Sequence, residues 1–301
     1  MKQRLSKILF DEHIETGLDV LRVSAGVENN IEKLLRQLER DLLAKLKKGN
    51  LTDWGTARTK RLLLDVKREV SGVYDEANNL LGDASKGIYE FSGDELGKAL
   101  SASVGGQIAI ERVLATPAHL ARIADDTLIQ GAANAAWWRK QTADTILRFN
   151  KEVKSGLIAA ETTAQINTRV AQQLGITRAN ANTLVHTSIQ TVANQAREDV
   201  MSANEDIIAG REWVATLDMH TCPTCGNLDN KRWDNKGKPI GHGTPYRQPI
   251  AHWRCRCVTI PVLKTWKELG INIDEMPAGT RASMNGQVKS EPYLKWLEGL
   301  K

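Results

Sequence analysis

Over the first 200 residues, apolar side chains return every three to four positions. Val27, Ile31, Leu34, Leu38, Leu42 and Leu46 form one stripe, the spacing of a single helical face. Lys45, Lys47 and Lys48 fall in its last turn, and Gly49-Asn50 supplies a stop. The same periodicity predicts amphipathic helix over about 62–81 and again over about 120–153. The adjacent Trp137 and Trp138 lie in the third stretch, and the expectation is one ring in the core and one at a helix contact. Thr162-Thr163-Ala164-Gln165 has the form of a capping box and opens a helix predicted to end near Gly175. The next helix carries Val185, Ile189, Val192, Ala196 and Val200 on one seam. Its other face, with Thr183, Thr187, Gln190, Thr191 and Asn194, is polar but uncharged. A solvated face usually carries charge, so this one is expected to make hydrogen-bonded contacts inside the protein.

After Gly210 the period shortens. Residues 213–217 alternate as a strand does. Residues 228–233 read as two strand ends around a tight turn. The Gly- and Pro-rich stretch 234–250 reads as loop, 255–262 alternates again, and 263–269 is predicted to be a short helix. The tail from Ile271 is polar, with a last amphipathic turn at Tyr293, Leu294, Trp296 and Leu297. The fold class expected is mainly α: an N-terminal helical region over 1–150, a further helical part over 151–210, a small α+β zinc-knuckle-like lobe over 211–264, and a C-terminal tail over 265–301.

Composition narrows the function classes. The 301 residues carry 41 Lys and Arg against 36 Asp and Glu, a net charge of +5. That is too mild for a dedicated nucleic-acid coat. The excess is local: residues 211–264 hold nine Lys or Arg against four Asp or Glu, a difference equal to that of the whole chain. The basic start lacks an apolar segment behind it, so no secretory signal is expected. No window of about 20 residues is apolar enough to span a membrane. The Asn50-Leu51-Thr52 sequon is discounted because no secretory signal is expected.

All four cysteines, Cys222, Cys225, Cys255 and Cys257, lie in this basic region. In a reducing cytoplasm such clustering points to metal or redox chemistry before structural disulfides. Cys222-Pro223-Thr224-Cys225 is one knuckle, and His252-Trp253-Arg254-Cys255-Arg256-Cys257 is a second. Tetrahedral zinc takes four sulfur or nitrogen ligands from two such knuckles. Either the four cysteines or three of them with His252 complete the set, and both choices remain open. A thioredoxin-like pair would want the C-x-x-C between strand and helix in a βαβ unit, whereas a hairpin is expected here.

If 255–257 is extended, both sulfurs face one side and Arg254 and Arg256 the other. With Lys231, Arg232 and Arg247 they are the candidate DNA-binding residues. Trp233 and Trp253 lie among them as stacking groups or as the filling of a thin core. His242, Asp218, Asp229 and Asp234 raise the alternative of a zinc-framed nuclease of the His-Asn-His type. The chain lacks the expected Asp-His pair and a second C-x-x-C-H, so His242 reads as a loop residue. No catalytic residue is assigned and no enzyme is expected. There is no phosphate-binding Gly loop, nucleophile elbow or H-E-x-x-H.

The pattern Trp213…Asp218…Thr221-Cys222-Pro223-Thr224-Cys225…Leu228-Asp229, then Pro249…His252…Cys255-Arg256-Cys257…Pro261-Val262, resembles the phage head morphogenesis, or Mu F-like minor head, proteins. The tail Gly279-Thr280-Arg281-Ala282-Ser283-Met284-Asn285-Gly286-Gln287-Val288, followed by Tyr293 and Trp296-Leu297, is similar to the ending of many members. Two positions depart: His186-Thr187-Ser188 stands where members often carry Arg-Thr-Glu, and Asn230 where Gly often follows the Leu-Asp turn. The resemblance implies a non-enzymatic virion component inside the head, assembled in the host cytoplasm. It implies portal protein and inner capsid or scaffold as partners, with DNA a further candidate, and neither membrane nor small-molecule substrate. On this reading the helices before residue 200 dock on portal or capsid, and the lobe presents its basic surface to packaged DNA.

Overall fold

The computed structural model describes residues 2–48, 55–105, 108–270, 280–283, 286–289 and 293–299. It is 66% helical, with a small sheet region near the C-terminus, so the class is mainly α as expected. The helices are α1 (Lys2–Leu46), α2 (Thr56–Ser103), α3 (Pro117–Asp126), α4 (Asn134–Ile158), α5 (Thr163–Ala203), α6 (Pro223–Leu228) and α7 (Tyr293–Glu298). The strands are β1 (Leu128–Ile129), β2 (Ala132–Ala133), β3 (Ile208–Val214), β4 (Arg232–Asp234), β5 (Pro239–Ile240), β6 (Val258–Leu263), β7 (Thr280–Ser283) and β8 (Gly286–Lys289). No described helix is long and apolar enough to cross a membrane. The stop at Gly49-Asn50 and the sequon lie outside the described residues, as do Gly279, Met284 and Asn285 of the tail pattern.

The chain forms two compact units. The first comprises 1–22, 86–120 and 189–301, and the second 23–85 and 121–188. In the second, Ile31, Leu38, Leu42 and Leu46 of the predicted stripe on α1 are buried, while Val27 and Leu34 are half-buried and Leu35 is buried beside them; on α2 the buried positions include Leu62, Val66, Val70, Tyr74 and Leu81. Tyr74 meets Trp138 edge-on at 6.1 Å, and its hydroxyl shares a 2.9 Å hydrogen bond with Thr145. Trp138 is the core ring. Trp137 donates its indole N–H to the Ile129 carbonyl at 2.6 Å, which ties it to a hairpin. That hairpin, β1 with β2, corrects the prediction of unbroken helix over 120–153. Gln130 and Gly131 make its turn with positive φ, which the longer apolar rhythm conceals.

The capping box before α5 forms in both directions: the Thr162 N–H donates to Gln165 Oε1 at 2.8 Å, and the Gln165 N–H to Thr162 Oγ1 at 3.3 Å. The predicted end near Gly175 is wrong, because α5 runs on to Ala203. A helical glycine costs about 1 kcal/mol relative to alanine. Burial of Leu174, Ala181, Val185 and Ile189 on the same helix outweighs that.

In the first unit, Leu9, Leu96, Leu100, Val200, Met201, Ile207, Ile208 and Trp266 form one core cluster. Glu12 and Arg197 make a buried two-bond ion pair at 2.6 and 3.1 Å. A four-stranded antiparallel sheet has the order β5-β4-β3-β6. Strand β3 is covered on both faces. Trp213 and Ala215 belong to the cysteine cluster, while Val214 packs with Val258 and Ile260. Gly210 is required where β3 meets β4, since a Cβ there would lie 2.1 Å from the Trp233 carbonyl oxygen. Where a short helix was predicted over 263–269, Leu263 ends β6 and residues 266–270 form hydrogen-bonded turns. The tail adds an unforeseen hairpin, β7 with β8, and the expected terminal turn is α7, with Tyr293 and Trp296 buried.

Candidate metal centre

The first knuckle opens a helix where a hairpin was expected. Cys222 is the N-cap of α6, and its sulfur accepts the Cys225 N–H at 3.4 Å. Proline at the first helical position suits that start. The helix ends at Leu228, and Asn230, at φ +60°, turns the chain into β4. The tight turn and the tolerance of Asn for it are as read from the sequence. The second knuckle is a turn at 252–255, closed by the Cys255 N–H donating to the His252 carbonyl at 3.1 Å.

These turns bring five donor atoms together. His252 Nε2 lies 3.2 Å from both Cys222 Sγ and Cys225 Sγ. Cys225 Sγ lies 3.7 Å from Cys255 Sγ. Cys222, Cys225 and His252 form one group with mutual distances within 4.8 Å, and Cys225, Cys255 and Cys257 form another. Cys225 is common to both. Around a tetrahedral ion with bonds of about 2.3 Å to sulfur and about 2.0 Å to nitrogen, neighbouring sulfurs sit about 3.8 Å apart and sulfur and nitrogen about 3.5 Å apart. The donor set therefore fits a metal ion, and the residues named from the sequence are the ones assembled.

The hydrogen bonds among the sulfurs divide their protons unevenly. Hydrogen bonds from Cys225 and then Cys257 hold Cys255 far below the usual thiol range, as the thiolate of its trio. The two donors are correspondingly pushed up, Cys225 first by its bond to Cys255 and Cys257 first by its bond to Cys225. For Cys222, burial works upward, but the hydrogen bonds from Cys225 and the backbone, together with the charge of His252, outweigh it and the thiol is lowered. His252 is raised against burial by its bond to the Trp253 carbonyl and by thiolate charge. That bond, Nδ1 to Trp253 O at 2.8 Å, puts the proton on Nδ1 and leaves the Nε2 lone pair facing the sulfurs. From α5, Asn194 donates its amide to the Cys257 carbonyl at 3.3 Å. Part of the uncharged polar face of that helix is thus buried: Thr187, Gln190 and Asn194 are all inaccessible, and Thr187 and Asn194 are hydrogen-bonded there.

The predicted basic surface is only partly a surface. Residues 255–257 precede β6, and Arg254 sits in the turn at φ +59°, so Arg254 and Arg256 do not share one extended face. Arg256 is half-buried and grips Asp218 through two bonds, at 2.5 and 2.9 Å. Burial pushes Asp218 up, but this guanidinium outweighs it and holds the carboxyl below its ordinary value. Arg232 is exposed and pairs with Glu212 at 2.6 Å. Lys231 donates to the Thr244 hydroxyl at 2.7 Å. Arg247 is exposed, with one bond to the Ala251 carbonyl at 3.3 Å. Trp233 is wholly buried and fills the lobe's core, while Trp253 stays exposed.

His242 is a strut. Its Nδ1 accepts the Thr244 N–H at 3.1 Å, which places its proton on Nε2, and Nε2 meets the Arg232 carbonyl at 2.9 Å. The ring stands edge-on to Trp233 at 5.0 Å. Both nitrogens are engaged, leaving no lone pair for a general base.

Two residues complete the site in roles the sequence did not reveal: Asp229, named there only as a carboxylate of the nuclease alternative and in the Leu228-Asp229 pattern, and Gly226. Buried Asp229 accepts the Ala215 N–H at 2.8 Å and the Tyr293 N–H at 2.6 Å. Gly226 lies under the Tyr293 ring, where a Cβ would approach to 2.5 Å. Together they fasten α7 to the lobe. The Leu228-Asp229 pair in the sequence pattern was the only signal.

No curated protein and no solved structure matches the chain. Residues 148–260 match the model of the family described as Phage Mu protein F like protein. This stretch, from the second half of α4 through both knuckles, is similar to that family, one of phage head morphogenesis.

Proposed function

We propose that the protein is a minor component of the phage head that acts in procapsid assembly at the portal vertex, with a zinc-framed lobe set against packaged DNA. The observation that carries this is the coincidence of the family match over 148–260 with the Cys and His cluster. Zinc is the metal the donors suit, being sulfur-rich and tetrahedrally spaced. Its role is structural: it would tie α6 to the turn at 252–255 across a core whose other buried members are Trp213, Trp233, Ala215, Leu228 and Ile250. Cys222, Cys225, His252 and Cys255 would hold it, with Cys257 as the alternative fourth sulfur.

DNA contact draws support from the local charge excess and from exposed Arg232, Arg247 and Arg254. It would be weak and salt-sensitive, because Arg232 is already paired and Arg256 is committed to Asp218. Engagement of both His242 nitrogens supports a protein that does not cleave what it touches.

Quantitative mass spectrometry of purified particles and procapsids tests the assignment. The expected result is a few copies of this chain per portal ring. Its absence from both particles would overturn the reading.

A further inference from the structure

Beside the first knuckle, within the first unit, lies a cleft of about 460 Å³. Its polar lining is Thr224, Asn227, Lys231, Thr244 and Arg247, and Tyr246 forms an aromatic wall. No carboxylate lines it among the described residues. We propose that this cleft seats one unstacked nucleotide of a single-stranded nucleic acid, its phosphate against Lys231 and Arg247 and its base against Tyr246. The proposal deepens the DNA-contact reading and rests on it.

The volume comes first. It falls in the range of pockets that enclose a small organic ligand, and exceeds what a lone phosphate fills. The donors come second. Lys231 uses one N–H on Thr244, and an ammonium has three. Arg247 uses one on the Ala251 carbonyl, and a guanidinium has five in a fork that matches phosphate. Hydroxyls at Thr224 and Thr244 add neutral donors.

The third observation is preorganisation. Thr244 is held at three atoms: its N–H donates to His242, its hydroxyl accepts from Lys231, and its carbonyl accepts the Trp233 indole N–H at 2.8 Å. His242 is therefore a positioning residue for this wall. Tyr246 is held too, its ring edge-on to Trp233 at 5.6 Å and its hydroxyl 3.5 Å from Glu198. A fixed ring is a sequence-tolerant platform for a base. Thr224, between Cys222 and Cys225, places the opposite wall on the metal knuckle itself.

Fluorescence anisotropy of the full chain with a labelled oligothymidylate, against a duplex of equal length, tests this. Tighter binding of the single strand is expected. Arg247→Ala and Lys231→Gln, which keeps a donor for Thr244, should each weaken it about tenfold. Each should also reduce the salt slope by about 0.7, the increment that one phosphate neutralised on a single strand contributes. Arg254→Ala, outside the cleft, should change it less. Photocrosslinking with 4-thiothymidine, mapped by mass spectrometry, should label 244–247 in the wild-type protein, so a misfolded variant cannot decide the matter. The cleft is refuted if its variants bind as wild type while Arg254→Ala does not, or if adducts form only elsewhere. It is equally refuted if the duplex binds as well, or if polyglutamate displaces the strand, which would mark an acidic-protein site. Wild-type protein that binds neither nucleic acid would overturn the DNA reading itself.

Discussion

Along α5 the buried seam runs through Ile166, Val170, Leu174, Ala181, Val185, Ile189, Val192 and Ala196. In the cysteine cluster of the lobe the buried set is two Trp rings, Ala215, Leu228, Ile250 and three thiols. The helix spreads its stabilisation over many positions of one kind, each open to a similar apolar replacement. In the lobe a few particular atoms carry it, each with one geometry: the Cys225 sulfur shared by two donor groups, the missing Cβ of Gly210, and the two oxygens of Asp229. A small unit with little apolar area needs such staples. Substitutions in the lobe should therefore act sharply and locally, and substitutions in α5 gradually.

The largest expected effect is that of Cys225→Ser. It removes the donor common to both groups and should abolish the lobe's near-ultraviolet circular dichroism and its bound metal, while far-ultraviolet helicity is largely kept. Loss of helicity in parallel would erase the distinction between the two regions. Gly210→Ala comes next, at about 3 kcal/mol, because its Cβ meets backbone, which cannot swing aside. Ile189→Ala should cost a similar amount, about 2–4 kcal/mol, yet leave metal content unchanged. Chemical denaturation with metal assayed alongside separates the two.

Asp229→Ala should cost about 2 kcal/mol by leaving two buried N–H groups unsatisfied. It should also free α7, read as faster proteolysis of the C-terminal segment. The smallest effect concerns Asp218 and Arg256. The folded-state value of Asp218 is depressed, so the pair contributes fully above the ordinary aspartate pKa and is lost as pH falls through the lower folded value. Partial exposure limits this to about 1 kcal/mol. Asp218→Asn should remove that part of the acid dependence of stability, measured by denaturation from about pH 5 down to about pH 2, a window that brackets the ordinary aspartate value.

What was legible in the sequence was whatever depends on near neighbours. The capping box at Thr162, the helical stripes, the turn at Asn230, the two knuckles and the amphipathic turn at Tyr293 each declare themselves within a few residues. The end of α5 did not, because burial along its length overrides the local cost of Gly175. Nor did the two-residue strands around Gln130, which are too short to set a period. Asp229 takes its meaning from Tyr293, 64 residues away, and His242 from Thr244 and Arg232. Lys231, Arg232 and Arg256 read as a solvated basic face because their partners Thr244, Glu212 and Asp218 come from other elements. The uncharged face of α5 was the exception, a long-range contact announced by what it lacked.

The most direct test is the metal content of the full chain, purified without chelator, by inductively coupled plasma mass spectrometry with thiol counting on the same sample. About one zinc per chain is predicted, following from one four-ligand site, with its thiols protected until a chelator is added. Metal-free protein whose lobe retains its near-ultraviolet signal and resists proteolysis would contradict the metal-framed lobe.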